Sequence, residues 1–147
     1  MLGAYTQRRR PTTRDGSCRG GGADQGAAAY GVHVSAVQPD RYVLFGDRVR
    51  CQDDAQGQQV CLANGRYDAD AEPAEALANG VVQFPTDVRI TSTNPAAEAI
   101  DVLFQPPRGA VMITPDVVEV RLTLRHAAFD DTRVVSINRI SGRVDVE

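Results

Sequence analysis

Apolar and polar residues alternate along much of the second half of the chain, and this pattern predicts a series of short β-strands. Residues 88–91 and 118–124 alternate strictly, as expected for strands that bury one face and expose the other. Pro, Gly and Asn-Pro separate the strands at short intervals, which favours a mainly antiparallel sheet. The other strands predicted there are residues 81–84, 100–104, 111–113, 134–137 and 144–146.

The first half of the chain predicts a β-hairpin. Residues 30–37 alternate, so that Val34 falls on one face and His33 on the other. Pro39-Asp40 is predicted to form the turn, and residues 41–45 the second strand.

Two short helices are predicted beside the strands. Residues 27–29 are three alanines, which are good helix formers, and an aspartate precedes them. Residues 72–78 have Pro73 at the first helical position and Asn79-Gly80 at the C-terminal cap. The rest of residues 50–79 is predicted to be loop. The predicted fold class is therefore α+β, β-rich, with an N-terminal helix stub packed on a mainly antiparallel sheet.

Length, composition and charge narrow the class of protein. The 147 residues are 42% apolar and 24% charged, which is typical of one globular domain. The chain has no apolar stretch long enough to span a membrane. Its net charge of −3 argues against a nucleic-acid partner bound through many phosphates. All sixteen basic residues are arginine, which we interpret as a genome bias.

The chain divides into two regions by composition. Residues 1–22 form an Arg/Gly-rich arm with almost nothing apolar to bury, and we expect it to be disordered. Residues 23–147 form the predicted globular head. The arginine run at 8–10 is not followed by the apolar segment of an export signal.

The residues that an enzyme would need are sparse. His33 and His126 are the only histidines, and both lie on or beside strands, where a solvated or hydrogen-bonded histidine at a strand edge is the simpler interpretation. No G-x-S-x-G, phosphate-binding glycine loop or H-E-x-x-H is present. We therefore predict no catalytic residue, no cofactor and no enzymatic activity.

Two groups of residues are weaker candidates for a ligand or a cross-link. Asp68, Asp70 and Glu72 offer oxygen ligands to Ca²⁺, although the spacing does not fit an EF-hand loop and a solvated loop is the simpler interpretation. Cys51 and Cys61 enclose a predicted turn. They form a disulfide in an oxidising compartment or remain two thiols in a reducing one, and both alternatives fit the sequence.

Four ordered segments resemble a known family. They are AAAYGVHV at 27–34, YVLFGD at 42–47, DVLFQPPRGA at 101–110 and INRISGRVDV at 137–146. In this order they resemble the soluble heads of type IV pilin-like proteins, especially the minor pseudopilins of type II secretion (pseudopilin H) and FimT-like minor pilins. The family-like motif residues are Phe104, Pro106, Gly109, Gly142, Arg143 and Val144.

The resemblance implies a fold, a function and a location. It implies a helix stub packed on antiparallel sheet, and a structural subunit of a pilus or pseudopilus in the cell envelope, outside the cytoplasm. Its partners would be other pilin-like subunits. The family assembles through an N-terminal apolar helix, and the Arg/Gly arm stands where that helix is expected, so we predict a truncated or misread 5′ end.

Two other classes of function compete with this one. A β-rich extracytoplasmic module that binds carbohydrate or another surface ligand would show exposed aromatic residues. Aromatic residues make up only 5% of the chain, and it has no tryptophan. A hydrolase or metal enzyme lacks candidate residues. The structural subunit is therefore the leading prediction.

Overall fold

The part of the chain that the structure describes is all-β. A computed structural model describes residues 27–53, 55–71, 74–106 and 108–147, with the backbone alone at 50–53 and 59–62. The described residues form eleven strands and no helix, so the predicted α+β class is wrong. The strands are β1 (Ala29–Ser35), β2 (Gln38–Asp47), β3 (Arg50–Asp53), β4 (Gln59–Leu62), β5 (Ala76–Gln83), β6 (Val88–Asn94), β7 (Ala99–Gln105), β8 (Ala110–Thr114), β9 (Glu119–His126), β10 (Asp131–Asn138) and β11 (Val144–Val146).

The strands form two main sheets. A five-stranded sheet has the order β5-β2-β1-β7-β8, and a four-stranded sheet has the order β11-β10-β9-β6. All paired strands in both sheets are antiparallel, as predicted. Strands β3 and β4 pair separately as a hairpin, in a region that was predicted to be loop.

The main core lies between the two sheets. Because side chains alternate along each strand, the valine, isoleucine and leucine residues of one face of each sheet meet in the middle. The buried members of this core are Val34, Ile90, Ile100, Val102, Val111, Ile113 and Val120. Half-buried residues that pack against them include Tyr42, Phe84, Leu122, Leu124 and Ile137.

The predicted hairpin of β1 and β2 is confirmed, but its turn is shifted. The two strands pair from Ala29 opposite Asp47 to Ser35 opposite Gln38. The turn lies at residues 36–37, where the backbone N–H of Val37 donates to Ser35 Oγ over 3.3 Å. Pro39-Asp40, predicted as the turn, belongs to β2.

The predicted helix stub at residues 27–29 is wrong. Ala29 begins β1 and is buried, and the backbone N–H of Ala28 donates to Asp47 O over 2.8 Å. Three alanines cannot nucleate a helix alone, since one turn costs more than its hydrogen bond returns. Pairing of β1 with β2 on one side and β7 on the other therefore decides the conformation.

The predicted helix at residues 72–78 is also wrong over its described part, because Ala76 begins β5. Ala76 pairs with Phe45 and Val81 pairs with Val43, so β5 has extra residues between these two pairs and carries a bulge. In the bulge Asn79 has φ of 59°, and a Cβ on Gly80 would lie 2.4 Å from Leu44 O. Asn79-Gly80, which was predicted to cap a helix, lies instead in a bulge within a strand.

Two predictions about the arm and the membrane have different outcomes. The arm predicted at residues 1–22 lies outside the described residues. Within the described ranges, no helix has the length and apolar character that crossing a bilayer requires.

The core assignment predicts a large loss of stability for Ile100→Ala. Ile100 is 1% exposed at the centre of the main core, so truncation leaves a cavity that costs about 2–5 kcal/mol of unfolding free energy. Val37→Ala is the control, since Val37 is 72% exposed and its truncation should change stability by less than about 0.5 kcal/mol. Urea unfolding measures both, and equal effects would contradict the assignment.

Candidate functional site

The five-stranded sheet has a second, smaller core on its outer face. Buried Ala29, Phe45 and Leu103 lie there, with Tyr67 and Met112 packed against them. Tyr67 belongs to residues 63–71 and 74–75, which we call the covering loop. This sheet therefore buries apolar residues on both faces.

Two buried carboxylates fix the covering loop: Asp47 bonds it to β2, and Glu75, itself a loop residue, bonds one part of the loop to another. Asp47 Oδ2 accepts a hydrogen bond from the backbone N–H of Gly65 over 2.8 Å, and its Oδ1 accepts one from Asn64 over 3.3 Å. Glu75 Oε2 accepts one from the backbone N–H of Asp68 over 2.8 Å. Both acidic residues are 2% exposed. These bonds satisfy loop N–H groups that would otherwise be buried without a partner.

A histidine–aspartate pair lies on the same face. His33 on β1 and Asp101 on β7 are register partners, and His33 Nδ1 donates to Asp101 Oδ1 over 2.7 Å. Their side chains are 17% and 6% exposed. The ring of Tyr67 lies 4.8 Å from the His33 ring and 5.4 Å from the Phe45 ring, measured between centroids. The hydrogen-bonded interpretation of His33 matches this geometry.

Tyr67 has an unusual electrostatic environment. Burial raises the pKa of its hydroxyl, and the nearby carboxylates of Glu75, Asp68 and Asp70 raise it further. Each factor disfavours the phenolate, so the neutral phenol is the favoured form of Tyr67 in the folded chain.

The polar cluster has part of the geometry of a catalytic site. An imidazole oriented by a carboxylate is the arrangement of a general base. Among the described residues, however, no hydroxyl or thiol forms a hydrogen bond with His33. The role that the contacts define is to join β1 to β7 under the covering loop.

His126 lies at the far end of β9. Its ring packs 4.6 Å from that of Phe129, between centroids, and its Nδ1 is buried without a hydrogen-bond partner among the described residues. Beside it is a shallow cavity of about 310 Å³. A second shallow cavity, of about 350 Å³, lies near Pro39 and Arg89. Both cavities are open to solvent.

The weak metal candidates are used within the loop. The backbone N–H of Asp70 donates to Asp68 Oδ1 over 3.1 Å, which is a local turn contact. Glu72 lies outside the described residues. Within the described part of the chain, no cluster of three or more metal-binding side chains is present.

The family-like motif residues lie in two hairpin turns or in the strands next to them. Gly109 and Gly142 both have φ of 66°, a conformation that favours glycine. The N–H of Gly109 donates to Gln105 O over 3.0 Å, and that of Gly142 to Asn138 O over 2.9 Å. The remaining motif residues are Phe104 in β7, Pro106 in the turn after it, Arg143 before β11 and Val144 in β11.

An apolar strip continues the main core to the open edge of the four-stranded sheet. Val146 is the register partner of Val135, and Val144 is that of Ile137, so all four face the same side of the sheet. Ile137 packs against the core, whereas Val144 is 52% and Val146 66% exposed. We call Val135, Val144 and Val146 the β11 strip. It is the candidate functional site, because it combines apolar surface with a sheet edge that no other strand among the described residues pairs with.

Sequence reasoning missed several of these residues. Asp101 lies within the apolar run 100–104, where an isolated charged residue signals a buried polar partner. Nothing in the sequence marked Asp47 or Glu75: Asp47 accepts hydrogen bonds from backbone N–H groups of the covering loop, and Glu75 accepts one from Asp68 within that loop. No family model, curated protein or solved structure matches the chain.

The register of β3 and β4 sharpens the disulfide prediction. Cys51 and Cys61 are backbone register partners. Register partners in an antiparallel pair have Cα atoms about 4.5–5.5 Å apart, within the roughly 4.4–6.8 Å range of disulfides.

In a Cys18→Ser variant, oxidised glutathione should remove both remaining thiols, with two hydrogens lost from the protein and two glutathione molecules formed. Mass spectrometry and thiol titration measure this, and two persistent thiols would contradict the prediction. The bridge should stabilise the fold by about 2–3 kcal/mol.

The environment of Tyr67 predicts an alkaline loss of stability. Above the ordinary tyrosine pKa near 10, the unfolded chain releases this proton while the folded chain retains it, so the free energy of unfolding falls as pH rises. The chain has no lysine to titrate in the same range. Tyr67→Phe should reduce the fall between about pH 9.5 and 11.5, measured by urea unfolding. The half-exposed Tyr30→Phe should retain it. Identical pH curves for Tyr67→Phe and the parent would contradict the assignment.

Proposed function

We propose that this chain is a non-enzymatic structural subunit of a type IV pilus or a type II secretion pseudopilus. It acts by packing against other pilin-like subunits in the cell envelope, outside the cytoplasm. The observation that carries the proposal is the β11 strip, where the apolar face of a sheet extends beyond the surface that the other sheet covers.

The contrast between the two sides of the four-stranded sheet supports a binding role. Val120 in β9 is fully buried, whereas Val144 and Val146 in β11 are more than half exposed on the same face. Opposite, on the outer face, Arg121 and Arg125 are exposed and paired with Glu119 and Asp130. That outer face is solvated, so the strip is the part of this sheet that gains most from a partner.

Three of the four family-like segments lie in the five-stranded sheet, and the fourth lies in the four-stranded sheet. Segments 27–34 and 42–47 contribute to β1 and β2, and segment 101–110 forms the β7–β8 turn region. These strands are neighbours in the five-stranded sheet. Segment 137–146 forms the turn before β11 and contains two of the three residues of the strip. The helix stub, which the fold does not contain in its described residues, is no part of the proposal.

Binding to neighbouring subunits tests the proposal. The purified chain, tagged at its N-terminus, is mixed with purified products of adjacent genes that encode pilin-like proteins. We expect saturable binding to at least one of them, and at least a tenfold loss of affinity in Val146→Asp, because a carboxylate in the strip must be desolvated on binding.

The control variant is Val37→Asp, which places the same charge on the exposed β1–β2 turn and should leave binding unchanged. Thermal unfolding of both variants confirms that each is folded. Absence of binding to all the pilin-like neighbours, or equal binding by Val146→Asp and the parent, would contradict the proposed function.

A further inference from the structure

The edge of β11 has hydrogen-bonding groups that its own sheet leaves unused. Glu147 and Val134 exchange backbone hydrogen bonds of 2.9 and 3.0 Å, and Asn138 N–H donates to Arg143 O over 2.9 Å. In an antiparallel ladder, successive residues direct their N–H and C=O groups to opposite sides. The backbone groups of Val144 and Val146 therefore point away from β10, along the open edge.

The sequence of this edge is complementary to itself. Residues 143–147 read Arg-Val-Asp-Val-Glu. When two copies pair antiparallel about Asp145, Val144 lies opposite Val146 of the second copy, and Arg143 lies opposite Glu147 of the second copy. A two-fold axis repeats each contact, so four backbone hydrogen bonds and two pairs of opposite charge form together.

This register is favoured over the two adjacent registers that use the same edge groups. Pairing centred on Val146 would place Asp145 opposite Glu147, which brings like charges together. Pairing centred on Val144 would place Gly142, whose φ of 66° belongs to the turn, opposite Val146. A shift of the pairing by one residue would place the outward backbone groups of Val144 and Val146 opposite residues whose backbone groups already bond to β10.

The one unfavourable contact in the symmetric pairing is moderated within each chain. Asp145 meets its own equivalent across the axis, but Arg143 Nε and a terminal guanidinium nitrogen both lie 2.7 Å from Asp145 Oδ1 of the same chain. The carboxylate therefore enters the contact already paired.

We propose that a second copy of this chain binds along β11, so that two four-stranded sheets join into one continuous eight-stranded sheet. The two β11 strips then lie side by side on one face of the joined sheet, and their valines contact each other near the two-fold axis. The inference rests on the proposed function, because both assign the β11 strip to protein–protein contact. It adds the identity of one partner and the register of the contact.

Charge reversal tests the register. Arg143→Glu places a carboxylate against Glu147 of the second copy, and Glu147→Arg places a guanidinium against Arg143 of the second copy. Each single variant should therefore dimerise about tenfold more weakly than the parent, measured by sedimentation equilibrium. An equimolar mixture of the two variants has opposite charges at both contacts. It should form a heterodimer more tightly than either single variant pairs with itself, an outcome that a folding defect cannot produce.

Three results would overturn the inference. They are a parent chain that stays monomeric across the concentration series, single variants that dimerise as well as the parent, and a mixture that associates no better than its components. Failure here differs from failure of the proposed function. A monomeric chain that binds a pilin-like neighbour through Val146 would contradict only the self-pairing, whereas a dimer that binds no neighbour would contradict only the proposed function.

Discussion

The organisation of the molecule depends on how much of each sheet face is covered. The five-stranded sheet is covered on both faces, by the four-stranded sheet on one side and by the covering loop on the other. The four-stranded sheet is covered on one face and only in part, because burial is complete at Val120 and declines to exposure at Val144 and Val146. Apolar area that remains in contact with water is the physical basis for a binding role.

The covering loop, in contrast, lies over one face of the five-stranded sheet and is held there by hydrogen bonds to side chains. Its backbone N–H groups bond to carboxylates: those of Asn64 and Gly65 to Asp47 of β2, and that of Asp68 to Glu75 within the loop. Thr114 adds a bond from its hydroxyl to Gly65 O over 3.0 Å. The cluster of acidic residues around Tyr67 thus has a structural explanation in loop attachment. The His33–Asp101 pair completes it by joining the two central strands.

The sequence predicted the strands well and the remaining structure poorly. Alternation located most strands because one buried face imposes a period of two, as at residues 118–124. Local propensity failed at residues 27–29 and 76–78, where pairing with neighbouring strands outweighed the helix preference of alanine. The β11 strip was present in the sequence only as a short strand, since its exposure depends on how far the other sheet extends. The self-complementary order of Arg143, Asp145 and Glu147 became meaningful only once the edge was known to be open.

Amide hydrogen exchange at β11, resolved by residue in solution, tests directly whether this edge binds a second copy of the chain. In dilute solution the outward N–H groups of Val144 and Val146 should exchange quickly, while that of Glu147, bonded to Val134 O, should be protected. At high concentration the backbone N–H groups of Val144 and Val146 should become strongly protected from exchange, because the β11 edges of two copies then pair. Exchange of these two amides that does not change with concentration would show that the β11 edge binds no second copy.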